Sequence, residues 1–293
     1  MTDPHFVVIG APRSGTTWLY KQLAASPEIY MPENKEPRFL AVDDPGQQFH
    51  GPGDDVWASG LVRTGAAYEA LFADARPGQR CGEASTDYLY RGAVAAPHLR
   101  ALVPEARVVA ILRDPVERAH SAWRLLVHSG HETLSFEEGL AAEEQRIADG
   151  WGWWWHYSQH GFYARNLRPW LEAFPREQLL VVGYAEIEAD PQGVLDRVTE
   201  HVGVGRIAGL NLAERVNEAP LTRSVRKSAS RSGLRRLAPP GMRRAARGLL
   251  DRLTLYKPPV GDEARATLER AYAKDLAELP ELLGGDVGIR SER

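Results

Sequence analysis

The sequence is poor in cysteine and has no long apolar run. Its only cysteine is Cys81, which excludes intrachain disulfides and any metal cluster built on several cysteines. Charged residues interrupt every apolar stretch before it reaches the roughly 18 residues that a membrane-spanning helix needs. The N-terminal apolar run ends at Arg13 and Ser14, so it predicts a strand and not a signal peptide. These absences lead us to expect a soluble protein of a reducing cytoplasm, with no membrane partner.

The composition is that of an ordinary globular protein. Hydrophobic residues make up 43% of the chain and charged residues 26%, which argues against global disorder. A length of 293 residues is long for one domain but within the range of an α/β fold with inserted loops. The chain has no internal repeat and no low-complexity linker. We therefore expect a single domain over 1–293, with a basic segment at 222–257 and a C-terminal helix at 261–283.

Apolar β-rich runs alternate with helical patterns along the chain. This alternation predicts an α/β protein with a central parallel sheet flanked by helices. The glycine- and proline-rich stretch 43–60 predicts a long surface loop. The predicted strands are 5–9, 29–31, 79–82, 107–112 and 178–182. The predicted helices are 16–25, 93–102, 115–128, 135–149, 163–174, 191–202 and 262–282.

Residues 6–19, FVVIGAPRSGTTWL, join a strand pattern to a helix pattern through a glycine-containing loop. Gly10, four intervening residues and Gly15 give the spacing G-x-x-x-x-G-x-[ST], in which backbone N–H groups and a helix N-terminus hold an anion. The lysine that nucleoside triphosphatases carry after the second glycine is replaced by Thr16, and the loop's cation is Arg13. The motif therefore predicts phosphate binding and favours a nucleotide that carries a different transferable group.

A second motif, ILRDPVERAHS at 111–121, follows the strongest predicted strand. Arg113 leaves the carboxyl end of that strand, where open α/β sheets bind their ligands. Ser121 lies two turns into the following helix, on the same face as Glu117. From the residues alone, Arg113 either binds a ligand or forms a local ion pair with Asp114, and Ser121 is either a ligand or a surface residue.

Together, PRSGTTWL at 12–19 and ILRDPVERAHS at 111–121 resemble the 5′ and 3′ nucleotide-binding signatures of sulfotransferases. They occur in the right order, about a hundred residues apart. The likeness is to heparan sulfate sulfotransferase domains and their bacterial relatives, and it covers about 5–205, with the C-terminal part matching more weakly. It implies a three-layer P-loop-like fold and transfer of a sulfuryl group from 3′-phosphoadenosine 5′-phosphosulfate (PAPS). Adenosine 3′,5′-bisphosphate would be the product, and no metal would be required.

The resemblance also implies a donor site made from the two motifs. Arg13 would stabilise the negative charge that grows on the leaving phosphate, and Arg113 and Ser121 would hold the 3′-phosphate. Trp18 is expected near the adenine, although a tryptophan two residues into a helix more often belongs to the core. The residues expected to bind the donor are Arg13, Ser14, Gly15, Thr16, Thr17, Trp18, Arg113 and Ser121.

The family takes its catalytic base from a segment soon after the first helix. MPENKEPRFL at 31–40 resembles that segment and puts Glu36 at the position of the catalytic carboxylate. The expected catalytic residues are therefore Glu36, as the general base, and Arg13. The same segment is also compatible with a charged turn that has no catalytic role. His156 and His160 are alternative candidates for the base.

The sequence does not identify the acceptor. Where the family carries a lysine in a Glu-Lys-Thr-Pro type run, this chain has Ala84, which argues against a strict heparan-type acceptor. Four of the eight tryptophans lie in 151–155, which predicts either an aromatic wall of the acceptor pocket or packing under a lid or against a partner. We expect a small metabolite or glycan that accepts the group on a hydroxyl or an amine. The oligomeric state stays open.

The stretch 222–252 carries ten Lys and Arg residues against one acid, Asp251. It is either a solvated loop or a basic cover over the nucleotide phosphates. It has no aromatic residue to stack on bases, so we expect no nucleic-acid partner. Which basic residue of 222–257 contacts the 3′-phosphate stays open. The alanine-, arginine- and glycine-rich composition, without a Golgi-type anchor, favours a bacterial cytoplasmic enzyme.

Two other functions fit parts of the pattern. A nucleotide kinase or other phosphotransferase would use the same scaffold, but Thr16 stands where such an enzyme needs its lysine. A non-catalytic nucleotide-binding protein would keep the fold and lose the site, yet Arg13, Glu36, Arg113 and Ser121 are all present. Sulfuryl transfer is therefore the leading prediction.

Overall fold

The computed structural model describes residues 3–207 and 259–289. The basic segment 222–257 lies outside the described residues, so its role as a phosphate cover stays a prediction. Within the described residues no helix is long and apolar enough to cross a membrane.

Five strands form one sheet in which every neighbouring pair is parallel. The strands are β1 Phe6–Gly10, β2 Ile29–Tyr30, β3 Arg80–Ala84, β4 Arg107–Leu112 and β5 Leu179–Gly183. Their order is β2-β3-β1-β4-β5, so β1 lies in the middle between β3 and β4. The predicted α/β fold with a central parallel sheet is confirmed.

Helices connect and cover the strands. They are α1 Thr16–Ala24, α2 Asp54–Ala58, α3 Gly65–Ala70, α4 Gly92–Leu102, α5 Pro115–Ser129, α6 Phe136–Ala141, α7 Glu143–Ala148, α8 Tyr163–Ala173, α9 Tyr184–Ala189, α10 Pro191–Val202 and α11 Asp262–Leu283. Short 3₁₀ turns occur at Phe39–Ala41, Trp153–Trp155, Gln159–Gly161 and Arg176–Gln178.

Two predictions of local structure were wrong. The predicted helix 135–149 is two helices, α6 and α7, that meet at Ala142. Directly after this break, the buried carboxylate of Glu143 accepts hydrogen bonds from the N–H groups of Ser158 and Gln159, a tertiary contact that the local pattern does not contain. The predicted loop 43–60 contains the short helix α2.

Both faces of the sheet are buried, which gives three layers. Val7 and Ile9 of β1 point into a core that includes residues of α4, α8 and α11. Phe6 and Val8 point to the opposite side, into a core that includes residues of α1, α9 and α10. Strands buried on both faces are rich in apolar residues without polar alternation, as is usual in parallel sheets.

This topology brings distant parts of the sequence to one edge. The carboxyl ends of β1, β3 and β4 lie side by side, since the three strands are adjacent and parallel. They are followed by the glycine loop 11–15, by 85–88 and by Arg113. Open α/β sheets bind ligands in the crevice at this edge, so the topology predicts the place of the functional site.

Candidate active site

The loop between β1 and α1 needs its two glycines for steric reasons. A Cβ on Gly10 would lie 2.8 Å from the Cβ of Leu89. Gly15 has a φ of +93°, and a Cβ there would approach the ring of Tyr184 to 3.3 Å. A left-handed backbone is rare for residues with a side chain. The two glycines therefore allow the chain to turn tightly from the sheet into the helix, as the phosphate-loop spacing predicts.

Among the described residues, three that are not glycine have left-handed φ values, and all three line the same pocket. They are Arg13 at 68°, Glu36 at 69° and Arg38 at 55°. Such conformations cost about 1–3 kcal/mol each and persist where surrounding contacts require them, often at functional sites. The pocket lies at the carboxyl edge of the sheet and also contains Gly15, Thr16 and Thr17.

The two nucleotide-binding motifs meet at Arg13. Its Nε–H donates a hydrogen bond to the Oγ of Ser121 at 3.0 Å, and Arg113 donates from Nη1 to the Arg13 carbonyl oxygen at 3.1 Å. Burial and the nearby guanidinium groups of Arg113 and Arg124 lower the pKa of Arg13 to about 10. Arg13 makes no ion pair with any described residue. The motifs thus form a cationic site that an anionic ligand would stabilise.

Further unsatisfied groups fit a phosphate at this loop. The Oγ of Ser14 is completely buried and has no hydrogen-bond partner among the described residues. Thr16 and Thr17 are the first residues of α1, so their N–H groups have no acceptor within the helix. The residues present therefore suit the phosphate groups of a nucleotide.

Trp18 does not line this pocket. Its side chain is 6% exposed and belongs to the core on the α1 side of the sheet. This is the alternative that the sequence left open, and it arises because Trp18 faces the strands once α1 packs on the sheet. A contact between Trp18 and the adenine stays a prediction.

Glu36 lies in the same pocket, between two cations. Its Oε1 accepts hydrogen bonds from Lys35 Nζ at 2.6 Å and from Thr86 Oγ1 at 3.3 Å, and its Oε2 pairs with the guanidinium of Arg38. Burial alone would raise the pKa of Glu36, but the positive charges of Lys35 and Arg38 outweigh it and lower the pKa to about 2. Glu36 is therefore ionised, and it lies in the same pocket as the glycine loop 11–15.

The segment after β3 holds the Glu36 segment in place. Arg38 donates from Nε to Asp87 at 2.5 Å and from its backbone N–H to the Oγ of Ser85 at 3.0 Å. The Tyr88 hydroxyl accepts the N–H of Leu40 at 3.2 Å. Ala84, at the position where the resemblance implies a lysine, is buried in the core and supplies no cation, so the cations beside Glu36 are Lys35 and Arg38.

Behind this segment lies a second carboxyl group. Glu83, on β3, is 1% exposed and accepts hydrogen bonds from the Tyr68 hydroxyl at 3.0 Å and from Ser85 Oγ at 2.8 Å. Burial raises the pKa of Glu83 to about 7, although these hydrogen bonds act in the opposite direction. Since Ser85 also binds the backbone of Arg38, Glu83 supports the strained turn that carries Glu36.

The three adjacent tryptophans, 153–155, lie in three different environments. Trp153 packs in the core against the sheet, and Trp155 packs in a separate core with residues of α5 and α11. Trp154 lines the pocket and stacks on Trp57 of α2 with ring centroids 5.8 Å apart. The predicted aromatic wall is thus formed by Trp154 and Trp57, while its role in acceptor binding stays a prediction.

Asp54 connects the segments that carry Trp57 and Trp154 through hydrogen bonds. It is 1% exposed, and its Oδ1 accepts the indole N–H groups of Trp154 at 2.7 Å and Trp155 at 2.8 Å. Its Oδ2 accepts the backbone N–H groups of Gly51 at 2.7 Å and Gly152 at 2.8 Å. One buried carboxylate therefore attaches α2, with Trp57, to the aromatic segment.

His156 and His160 both line the pocket, as alternatives to Glu36 for the base. His156 Nδ1 lies 3.0 Å from the Tyr90 hydroxyl, and His160 Nε2 lies 3.0 Å from the Trp153 carbonyl oxygen. Burial lowers the pKa of His156 to about 4 and that of His160 well below its ordinary value. Both imidazoles are therefore neutral near pH 7, and their basicity is low.

A sequence model described as the sulfotransferase family matches residues 4–206. The chain belongs to this family. The likeness predicted from the two motifs is therefore confirmed, and the five-stranded parallel sheet is the fold of a solved sulfotransferase. That protein, from Alicyclobacillus acidocaldarius, is 29% identical, with a TM-score of 0.78 and 98% of each chain covered.

Curated relatives include sulfotransferases that are named for heparan sulfate. Mouse heparan sulfate glucosamine 3-O-sulfotransferase 3B1 is 28% identical over 204 residues, which are 70% of this chain and 47% of the relative. The human bifunctional heparan sulfate N-deacetylase/N-sulfotransferase 3 is 28% identical over 216 residues, 69% of this chain and 22% of the relative. The chain thus spans less than half the length of these two relatives.

The structure adds residues to this sulfotransferase site that the sequence analysis missed. They are Trp57 and Arg118. The sequence contained a signal for Arg118, because it belongs to the second motif. Arg118, Ala122 and Leu125 are also spaced so that they lie on one face of a helix. Trp57 lies in a separate segment, and only the fold brings it to the pocket. No group of described residues is arranged to hold a metal ion.

We predict that Asp54→Asn lowers the free energy of unfolding by about 1.5–3 kcal/mol, because an amide NH₂ would face N–H donors that now bind a carboxylate. The emission of the tryptophans should shift as well, since two indole N–H groups share this acceptor. Urea denaturation followed by fluorescence measures both effects. Asp55→Asn, at the exposed neighbouring position, is the matched control. Equal stability of the two variants would contradict the role of Asp54.

A second prediction concerns pH. The folded-state pKa of Glu83 lies above its ordinary value of 4.5, so the stability that it contributes is complete below about pH 4.5 and is lost as pH rises through about 7. We expect Glu83→Gln to remove a decrease of about 1–3 kcal/mol in the free energy of unfolding between pH 5 and pH 8. Denaturant unfolding across this range tests it, with the exposed Glu69→Gln as control. Parallel profiles for wild type and Glu83→Gln would refute the assignment.

Proposed function

We propose that this sulfotransferase transfers the sulfuryl group of PAPS to a hydroxyl or amine of a small metabolite or glycan. The observation that carries the proposal is the meeting of Arg13, Ser121 and Arg113 next to the carboxylate of Glu36. This arrangement puts unpaired positive charge, loop N–H groups and a proton acceptor at one edge of the sheet. Those are the groups that in-line transfer from a phosphosulfate requires.

The donor would be held by the two motifs. Ser14, Gly15, Thr16 and Thr17 offer N–H and hydroxyl donors to the 5′-phosphate. Arg113 and Ser121 would bind the 3′-phosphate. PAPS, when bound, supplies the sulfuryl group on an activated phosphate. Arg13 stabilises the negative charge that the phosphate oxygen gains when the S–O bond breaks.

Glu36 is proposed to take the acceptor's proton as the new S–O or S–N bond forms. In the free protein its pKa of about 2 makes it a weak base, because Lys35 and Arg38 neutralise its charge. An anionic donor next to Lys35 would compete for that ammonium group and leave Glu36 more basic. Lys35 thus links donor binding to activation of the base.

The acceptor class and the cellular location remain proposals. The relatives named above are named for glucosamine 3-O- and N-sulfation of heparan sulfate, so both hydroxyl and amine acceptors occur in the family. Ala84 in place of the family's lysine favours an acceptor other than heparan sulfate. We also propose a cytoplasmic location, which the single buried Cys81 fits.

We predict that adenosine 3′,5′-bisphosphate raises the melting temperature much more than AMP does, with or without magnesium. The bisphosphate has the 3′-phosphate that Arg113 and Ser121 would bind, and stabilisation follows occupancy of the native state. Ser121→Ala should weaken bisphosphate binding by about 10- to 100-fold, since a hydrogen bond to a charged group is worth about 1.5–3 kcal/mol. Thermal shift and calorimetry measure these changes.

The control for this experiment is Ser129→Ala, at the end of the same helix, where the hydroxyl donates to the Leu126 carbonyl oxygen. It should bind the bisphosphate like wild type. Equal melting shifts with AMP and with the bisphosphate would overturn the 3′-phosphate assignment. A requirement for magnesium would favour a phosphotransferase instead.

We predict that Glu36→Gln keeps donor binding but lowers kcat by about 10²–10⁴-fold, because the amide cannot accept the proton. Arg13→Ala should weaken both donor binding and kcat, since Arg13 contacts the donor before and during transfer. Glu33→Gln, at an exposed position of the same segment, is the matched control and should be fully active. Steady-state kinetics with a screened acceptor and calorimetry with the bisphosphate separate the effects. A near-normal kcat in Glu36→Gln would move the base to His160 or His156.

A further inference from the structure

Arg118 is a fully buried cation in the pocket wall with unused hydrogen-bond donors. Its side chain is 0% exposed, and Nη2 donates to the carbonyl oxygen of Tyr157. Its Nε and Nη1 groups have no hydrogen-bond partner among the described residues, and it makes no ion pair with any of them. A buried guanidinium is stable only when its charge is compensated. The free donors therefore point to an anion that the described part of the protein does not supply.

The buried carboxylate of Glu143 interacts electrostatically with Arg118, but its oxygens accept hydrogen bonds from other residues. Its Oε1 accepts the backbone N–H groups of Ser158 at 2.9 Å and Gln159 at 3.2 Å, and its Oε2 accepts that of Ser158 at 3.0 Å. It thus fixes the turn that leads to His160, and it makes no ion pair with Arg118.

Two more buried atoms that have no hydrogen-bond partner among the described residues belong to side chains lining the same pocket. They are His156 Nε2 and His160 Nδ1. The Trp153 carbonyl oxygen can only accept, so a neutral His160 must donate to it from Nε2 and keeps a lone pair on Nδ1. That lone pair suits a hydroxyl or amine hydrogen. The wall therefore combines donors for an anion with an acceptor for a neighbouring polar hydrogen.

The position of Arg118 on α5 separates it from the donor motifs. Arg118, Ala122 and Leu125 follow one stripe of the helix and line the pocket, whereas Ser121 is turned to Arg13. The hydrogen bond of Arg118 goes to the aromatic segment at Tyr157, not to the glycine loop. Together with Trp57 and Trp154, the stripe gives this pocket apolar lining residues and one cation, Arg118.

We propose that Arg118 binds an anionic oxygen group of the acceptor, a carboxylate or a sulfate or phosphate ester, with His156 and His160 completing the polar contacts. The proposal rests on the proposed sulfuryl transfer and narrows its acceptor to small anionic molecules with an apolar part. The apolar part would contact Trp57, Trp154 and Leu125. The group to be sulfated would then face Glu36, which lines the same pocket.

Binding of simple probes tests this without knowledge of the natural acceptor. The protein is saturated with adenosine 3′,5′-bisphosphate and titrated by calorimetry with benzoate, phenyl phosphate and the neutral benzamide. We expect at least one anion to bind about tenfold more tightly than benzamide. Which of the two anions binds more tightly then distinguishes a carboxylate site from an ester site.

Arg118→Gln should reduce this preference to within about twofold and leave bisphosphate affinity unchanged. The control is Arg168→Gln, whose arginine pairs with Glu278 on the surface and lies outside the pocket. If Arg118→Gln does not fold, Arg118→Lys and His156→Gln replace it and should each weaken the anion about fivefold or more.

Equal binding of anions and benzamide to the wild type would overturn the inference. So would a preference that survives in the Arg118 variants, since it would then come from Lys35, Arg38 or Arg13. Intact bisphosphate binding with either result would leave the proposed function standing. A wild type that does not bind the bisphosphate would instead refute the donor assignment itself.

Discussion

Three arginines at the carboxyl edge of the sheet have guanidinium groups that are largely removed from water. Arg38 is neutralised by Glu36 and Asp87, but Arg13 and Arg118 have no carboxylate partner among the described residues. Burying an uncompensated charge is costly, so the rest of the site is arranged around these cations. Donor and acceptor binding would both supply the missing negative charge, which ties ligand binding to the stability of the site.

The helix α5 contributes residues to two sides of the pocket, the glycine-loop side and the aromatic side. Ser121 faces Arg13 and the glycine loop, while Arg118, Ala122 and Leu125 face the aromatic segment. Because both sets lie on one rigid helix, the donor and the acceptor would be held at a constant distance, as in-line transfer requires. Asp54 and Glu83 do not line the pocket themselves. Asp54 positions Trp154, and Glu83 supports the turn that carries Glu36.

Much of the fold follows from local patterns. The alternation of apolar runs and helical segments predicted the strands to within about two residues at each end, because strands buried on both faces have few polar residues. The helix 135–149 and the loop 43–60 were predicted less well. In the first segment Glu143 accepts a hydrogen bond from Ser158, and in the second Asp54 accepts one from Trp154. Both partners come from distant segments, so the local sequence pattern does not contain these contacts.

For the site, the sequence by itself identified the glycine loop 11–15 and the second motif, because their residue spacing reflects a backbone conformation that is local to each. It also singled out Glu36 from its segment. Only the tertiary structure decided that Trp18 belongs to the core, that the three tryptophans separate, and that Arg118 is buried without a carboxylate partner among the described residues. Burial and pairing depend on which distant segments pack around a side chain, and the spacing of residues along the chain does not contain that information.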